Sequence, residues 1–328
     1  MLELLSAVIA LVIVLLLMPG FIRFMKERGM IQPGYELGPD SFKKKKEKPP
    51  NMGGLVIALA VVIASLIISQ VAGSSNLVLL LMIAALGGLG IGFADDFIKD
   101  VQHHHEGLKP RYKLIGQTLV GFIFALITAN LVGTAIHLPF TKATWELGYA
   151  YVPLMTLLYV FMTNSANLQD GVDGLMGTVT AVGSAALGAL ALVIRGGSVS
   201  DPAIAYVCFA LAGASLGFLH YNQHPAKIIM GDTGSMFIGG LLTGAAMVLR
   251  LQLWLLPLCF TMIMSSVSVI AQRVYFKLTG GKRLIKMSPI HHHFEMSGWS
   301  ENTIARRYLL TVMALSVLAA LAVIPIAP

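Results

Sequence analysis

Apolar runs long enough to cross a bilayer follow one another along almost the whole chain, at about 3–22, 54–72, 77–94, 114–132, 152–166, 176–194, 203–219, 235–249, 252–276 and 308–325. A helix in lipid must satisfy every backbone polar group within itself and needs roughly 20 apolar residues to span the hydrocarbon. The 328 residues thus hold about ten spans and little else. Composition agrees, since 12% of residues are charged, about half the share in a soluble domain. The expected fold is an all-α polytopic membrane protein, one domain over residues 1–328, with its chemistry in the connections or at span ends. The first run, Leu4 to Met18, lacks the basic leader and small-residue cleavage site of a signal peptide and is expected to remain as the first span.

Charge sorts by side. The odd-numbered connections and their flanks carry 20 of the 23 Lys and Arg residues; Lys142, Arg195 and Arg250 are the others. The positive-inside rule then places those connections in the cytoplasm and both termini outside. Thirteen of the 16 carboxylates gather on the same side, all but Glu3, Glu146 and Asp201. Acidic residues contribute little to topology, so their gathering calls for a chemical reason. The net charge of +7 follows from topology and from a surface facing anionic lipid, and implies no nucleic-acid partner. Cys208 and Cys259 both lie inside apolar runs and read as packing residues. Outside, Pro139, Trp145 and Tyr149 suggest a small interfacial hairpin within 133–151.

Four strings on the cytoplasmic side carry chemistry. The third run ends in FADDFIKD, where Asp95 and Asp96 repel each other at an apolar boundary and oppose the helix dipole, so one of the two is expected to hold its proton more tightly unless a cation is present. Lys99 follows one turn later and can neutralise one of them or contact a phosphate. In NSANLQDGVDGLMG, Asn164, Asn167, Asp170 and Asp173 recur every third residue, which keeps them roughly on one face of a tight turn. Gly171, Gly174 and Gly177 recur at the same interval and let a ligand approach the backbone. HPAKIIMGDTGS sets Asp232 in a glycine turn feeding the eighth span, which suits a phosphate at the helix start and a hard cation on the carboxylate. SPIHHHFE places His291, His292 and His293 in succession, better suited to anion contacts than to a tetrahedral zinc site. A second triple, His103 to His105, reads as a solvated loop. Lys43 to Lys46 and Lys48 form a basic block before PPNMGG, suited to anionic headgroups. Together these groups describe Mg²⁺-assisted handling of phosphate at a lipid boundary.

These strings, PPNMGG, FADDFIKD, NLQDGVDGL, MGDTGS and HHHFE, resemble the polyprenyl-phosphate N-acetylhexosamine-1-phosphate transferases, and the resemblance covers the whole chain. The triple-His string is similar to the branch that takes UDP-MurNAc-pentapeptide and undecaprenyl phosphate and yields lipid I and UMP with Mg²⁺. The resemblance implies a homodimer in the bacterial inner membrane with a cytoplasmic active site. It assigns catalysis to Asp95, Asp96 and Asp232, with His291 and Lys113 beside them, and Mg²⁺ to Asp232 and Asn167. Substrate contacts fall to Asn164, Asn167, Asp170, Gly171 and Asp173 in one loop and to His292 and His293 in another. Lys46, Asn222, Ile229 and Gln272 complete the implied pocket. The chain departs from the family pattern twice. Ile229 stands where an aromatic usually stacks on uracil, and Lys48, Pro49, Pro50 and Asn51 replace the usual Gly-Thr-Pro-Thr. A transporter is the rival from another class, but the runs are free of charge through their middles and the halves show no repeat. A sibling transferase using UDP-GlcNAc is nearer, and the HHHFE string argues against it.

Overall fold

The computed structural model describes residues 1–30, 49–73, 76–100, 107–194 and 202–326. Lys46, the rest of its lysine block and His103 to His105 lie outside these residues. The long helices are α1 (Leu2–Glu27), α2 (Gly54–Ala72), α3 (Asn76–Asp100), α4 (Pro110–Leu131), α5 (Tyr151–Gln169), α6 (Leu175–Val193), α7 (Ala203–Asn222) and α8 (Gly231–Val248). A short α9 (Leu255–Leu258) leads into α10 (Phe260–Leu278), and α11 (Ile290–Glu295) precedes α12 (Glu301–Val323). The expected hairpin is present as β1 (Ala135–His137) paired antiparallel with β2 (Thr144–Glu146).

Among the described residues, seven helices are long and apolar enough to cross a membrane, and the bent pair α9–α10 is an eighth candidate. The run at 252–276 is therefore not one straight helix. A 3₁₀ turn at Gln252–Trp254 and α9 come first, Cys259 leaves helical geometry, and α10 departs at 86°. Helices α5 and α8 are also less apolar than the membrane-length helices, and for α8 the reason is enclosure. Every residue of α8 but Asp232 is buried, so its glycines, Thr233, Ser235 and Thr243 face protein instead of lipid. A helix enclosed by other helices is released from the demand to be apolar all round.

Small residues set how closely the helices approach, as expected where lipid gives no hydrophobic drive to association. A Cβ at Gly213 of α7 would lie 1.9 Å from the Ala7 carbonyl oxygen of α1. Along α3, Gly88 and Gly92 do the same against α8: a Cβ would lie 2.4 Å from the Met236 carbonyl oxygen or 2.2 Å from that of Asp232. These glycines bring the polar end of α3 against the first turn of α8.

The described connections gather at two ends. One end holds the hairpin, where His137 N–H donates to the Arg250 carbonyl (3.0 Å), Phe140 N–H to Ala322 (3.0 Å) and the Arg250 guanidinium to Val132. All four chemistry-bearing strings meet at the other.

Candidate active site

Two helix ends make the centre of the site. Helix α3 continues past its apolar run to Asp100, so Asp95, Asp96 and Lys99 ride on helix and not on a following loop. Helix α8 begins at Gly231, which puts Asp232 in its first turn rather than in the preceding loop. Asp95, Asp96 and Asp232 each bring a carboxylate oxygen within 4.8 Å of the others, a spacing that can hold a metal ion. Asp95 and Asp96 are buried and Asp232 partly so.

The three acids have different partners. Asp96 closes the start of α8: Oδ2 accepts from Thr233 N (2.8 Å) and Thr233 Oγ1 (2.6 Å), and Oδ1 from Asp232 N (3.2 Å). A carboxylate there satisfies otherwise unpaired N–H groups and complements the helix dipole. Asn51 Nδ2 also donates to Asp96 Oδ1 (3.2 Å) and to Asp100 Oδ2 (2.9 Å). Asp95 pairs with Lys99 and accepts from Leu108 N (2.9 Å). Asp232 takes Lys113 Nζ (2.7 Å) and Lys99 Nζ (3.2 Å) on Oδ2 and Asn167 Nδ2 (2.6 Å) on Oδ1. Lys113 also reaches Asn167 Oδ1 at 3.3 Å, and Asn167 Nδ2 reaches Ser235 Oγ at 3.2 Å. Three carboxylates and one amide against two ammonium groups form an oxygen-rich set with an excess of negative charge, which suits a hard divalent cation.

The glycine loop 170–174 borders this cluster. Asp170 is half-buried, and desolvation, then the charges of Asp232 and Asp96, push its carboxyl up to about 8. Folded protein then holds that proton to about pH 8 and the unfolded chain only to about pH 4, so Asp170's contribution to stability falls as pH rises between them. Asp170→Asn, which cannot ionise, is expected to gain a few degrees of thermal stability over metal-free wild type between about pH 5 and about pH 8. Identical pH slopes in thermal scans of the two proteins would sink this.

Gly171 faces the histidines of α11: a Cβ there would lie 2.5 Å from His291 Nε2 and 3.1 Å from His292 Nε2. His291 is fully buried, neither ring nitrogen has a hydrogen-bond partner among the described residues, and desolvation with its neighbour His292 holds it well below the usual histidine range. His292 Nδ1 meets Glu295 Oε2 at 3.1 Å, and His293 Nδ1 accepts from Lys286 N (3.2 Å) on the loop behind.

Other expected contacts face elsewhere. Asn164 lies a turn deeper, donating to Gln117 Oε1 (3.0 Å) and the Val160 carbonyl (2.7 Å). Asp173 accepts from Ala226 N (3.0 Å) and meets His224 Nδ1 (3.1 Å). Asn222 accepts from Gly174 N (3.0 Å) and donates to the Ile228 carbonyl (2.9 Å). Ile229 pairs its backbone with Pro50 and Gly53, and Gln272 Oε1 accepts from Leu284 N and Ile285 N, each at 3.0 Å. Sequence reasoning gave Asn51 no site role. Its position directly before MGG, the segment that packs on α8, was the available signal.

The model of the glycosyl transferase family 4 matches residues 77–250, which include both acidic helix ends and the glycine loop. A phospho-N-acetylmuramoyl-pentapeptide-transferase of Oceanobacillus iheyensis is 38% identical over 96% of each chain. One of Halalkalibacterium halodurans is 39% identical over 91% of this chain and 90% of its own, and one of a Thermoanaerobacter species 44% over 71% and 73%. With such identity sustained over nearly its whole length, and with the acids, the glycine loop and the histidines brought to one end of the bundle, the chain belongs to glycosyl transferase family 4, among the phospho-N-acetylmuramoyl-pentapeptide-transferases.

Proposed function

We propose that the protein transfers phospho-MurNAc-pentapeptide from the UDP-linked donor to undecaprenyl phosphate, releasing UMP and forming lipid I. The observation that carries this reading is the meeting of Asp232, Lys113 and Asn167 with Asp95 at the polar end of a membrane bundle. A diphosphate donor needs cationic partners, and a lipid acceptor must arrive from the bilayer. Lys99 and Lys113 supply the first, and the helix ends lie where the second is met.

Mg²⁺ fits the carboxylates of Asp95, Asp96 and Asp232 with the Asn167 amide, and when bound it neutralises diphosphate charge and stabilises the leaving UMP. The chain's own residues do the rest. Lys113 and Asn167 fix the Asp232 carboxylate, and Asp96 holds the start of α8 in place. Asp95 is the group set to take the proton of the lipid phosphate. That phosphate is already a competent nucleophile when ionised, which favours one displacement over a covalent intermediate. Neutral His291, buried without a partner beside Gly171, can donate to the donor sugar or its phosphate. Leaving it unpaired costs about 1–3 kcal/mol, which a ligand would recover.

The full reading is a ten-span homodimer in the bacterial inner membrane, a single domain with the site facing the cytoplasm. Purified protein with Mg²⁺ and undecaprenyl phosphate is expected to release UMP from UDP-MurNAc-pentapeptide and not from UDP-GlcNAc. Release from UDP-GlcNAc alone would reassign the donor, and release from neither would refute the activity.

A further inference from the structure

Glu301 and His224 are outside the acid cluster, yet both hold the glycine loop. Glu301 opens α12 and is 6% exposed, an acidic side chain buried at a helix start that Ser300 already caps through Thr303 N. Its Oε2 accepts from Asp173 N at 2.9 Å. Its Oε1 and Asp173 Oδ2 each lie 3.1 Å from His224 Nδ1. Two buried carboxylates side by side repel unless a donor stands between them. His224 Nδ1, within hydrogen-bond distance of both carboxylates, is placed to donate between them. The result ties three distant stretches together: the α5–α6 loop, the segment after α7, and the start of α12.

That tie spans the site. On one side is Gly171, two residues from Asp173; on the other is the chain carrying His291, which runs directly into α12. Gly171 and the His291 ring are so close that a Cβ would not fit between them. Their separation is therefore sensitive to how the loop is held against α12. We propose that Glu301 and His224 are positioning residues that act through Asp173, holding loop 170–174 in register with His291 so that the nucleotide-sugar donor is bound. This rests on the reading that Asp170 and Gly171 face the donor.

The test uses full-length protein in nanodiscs and follows UMP release while UDP-MurNAc-pentapeptide or undecaprenyl phosphate is varied, with thermal unfolding alongside. E301A and H224A are expected to raise the donor KM about tenfold, the loss of a charge-assisted hydrogen bond, and to leave the lipid-phosphate KM unchanged. E301Q keeps an acceptor for Asp173 N but turns its NH₂ group toward His224, so it should recover part of the donor affinity, and H224N, which keeps a donor near the Nδ1 position, most of it. H224A, at a more exposed position, supplies the readout should E301A fail to fold. An unchanged donor KM, equal loss for both substrates, or no rescue by the conservative variants overturns the proposal. D170N separates the two readings. If it raises the donor KM while E301A and H224A do not, only the positioning role falls; if D170N leaves the donor KM unchanged, the assignment of the loop falls and this proposal with it.

Discussion

Asp232→Asn is expected to lower turnover by about 10³-fold or more in a protein that still folds and extracts normally. The carboxylate is the meeting point of Lys113, Lys99 and Asn167. An amide in its place presents N–H groups to an ammonium or to the Asn167 amide, both already donors. It also leaves two lysines against one fewer negative charge. UMP release at saturating Mg²⁺ measures the loss, and thermal unfolding checks the fold. A second readout does not depend on turnover: Mg²⁺ should raise the unfolding temperature of wild type and not of the variant, because a ligand stabilises only a state that binds it. Near-wild-type turnover, or equal stabilisation by Mg²⁺, would remove Asp232 from the centre of the site.

Gly92→Ala should also be damaging, although it removes no polar side chain. The added methyl would lie 2.2 Å from the Asp232 carbonyl oxygen and 2.7 Å from Thr233 N, both backbone atoms of the first turn of α8. Backbone cannot swing aside as a side chain can, so α3 and α8 must separate. Overpacking of this kind costs about 1–3 kcal/mol. A displacement near 1 Å of Asp232 from Asp95 is expected to cost about 100-fold in turnover. Gly90→Ala, two residues away with nothing within 4 Å of the new methyl, is the control and should leave activity unchanged. If the two variants behave alike, close approach of the helices does not set the geometry of the acids.

The sequence was most informative where lipid makes the demand. The run at 54–72 matches α2 residue for residue, because a span in hydrocarbon must be apolar and of fixed length. The same criterion failed at the polar ends. Asp95 to Asp100 and Gly231 to Gly234 are helical, but hydropathy stops at the last apolar residue while the backbone ladder continues past it. It also missed the break near Cys259, since composition carries no sign of direction. The site was legible as a set of strings and not as a set of contacts. That Asp232 would meet Asp95 and Asp96 depends on the close approach of α3 and α8 at Gly92, over 100 residues apart in sequence. Asp173, Asn222 and Gln272 are polar residues on the right face, yet they bond to backbone groups of neighbouring loops, as most side-chain hydrogen bonds in proteins do.

The enclosure of α8 bears on how the chain is made. A helix of this composition gains little by entering lipid alone, because its glycines and hydroxyls have no partners there. The helices it packs against most extensively, α2, α3 and α5, precede it in the chain and are synthesised first. Asp232, the last of the three clustered carboxylates in the chain, thus enters the site on a helix made after its main packing partners.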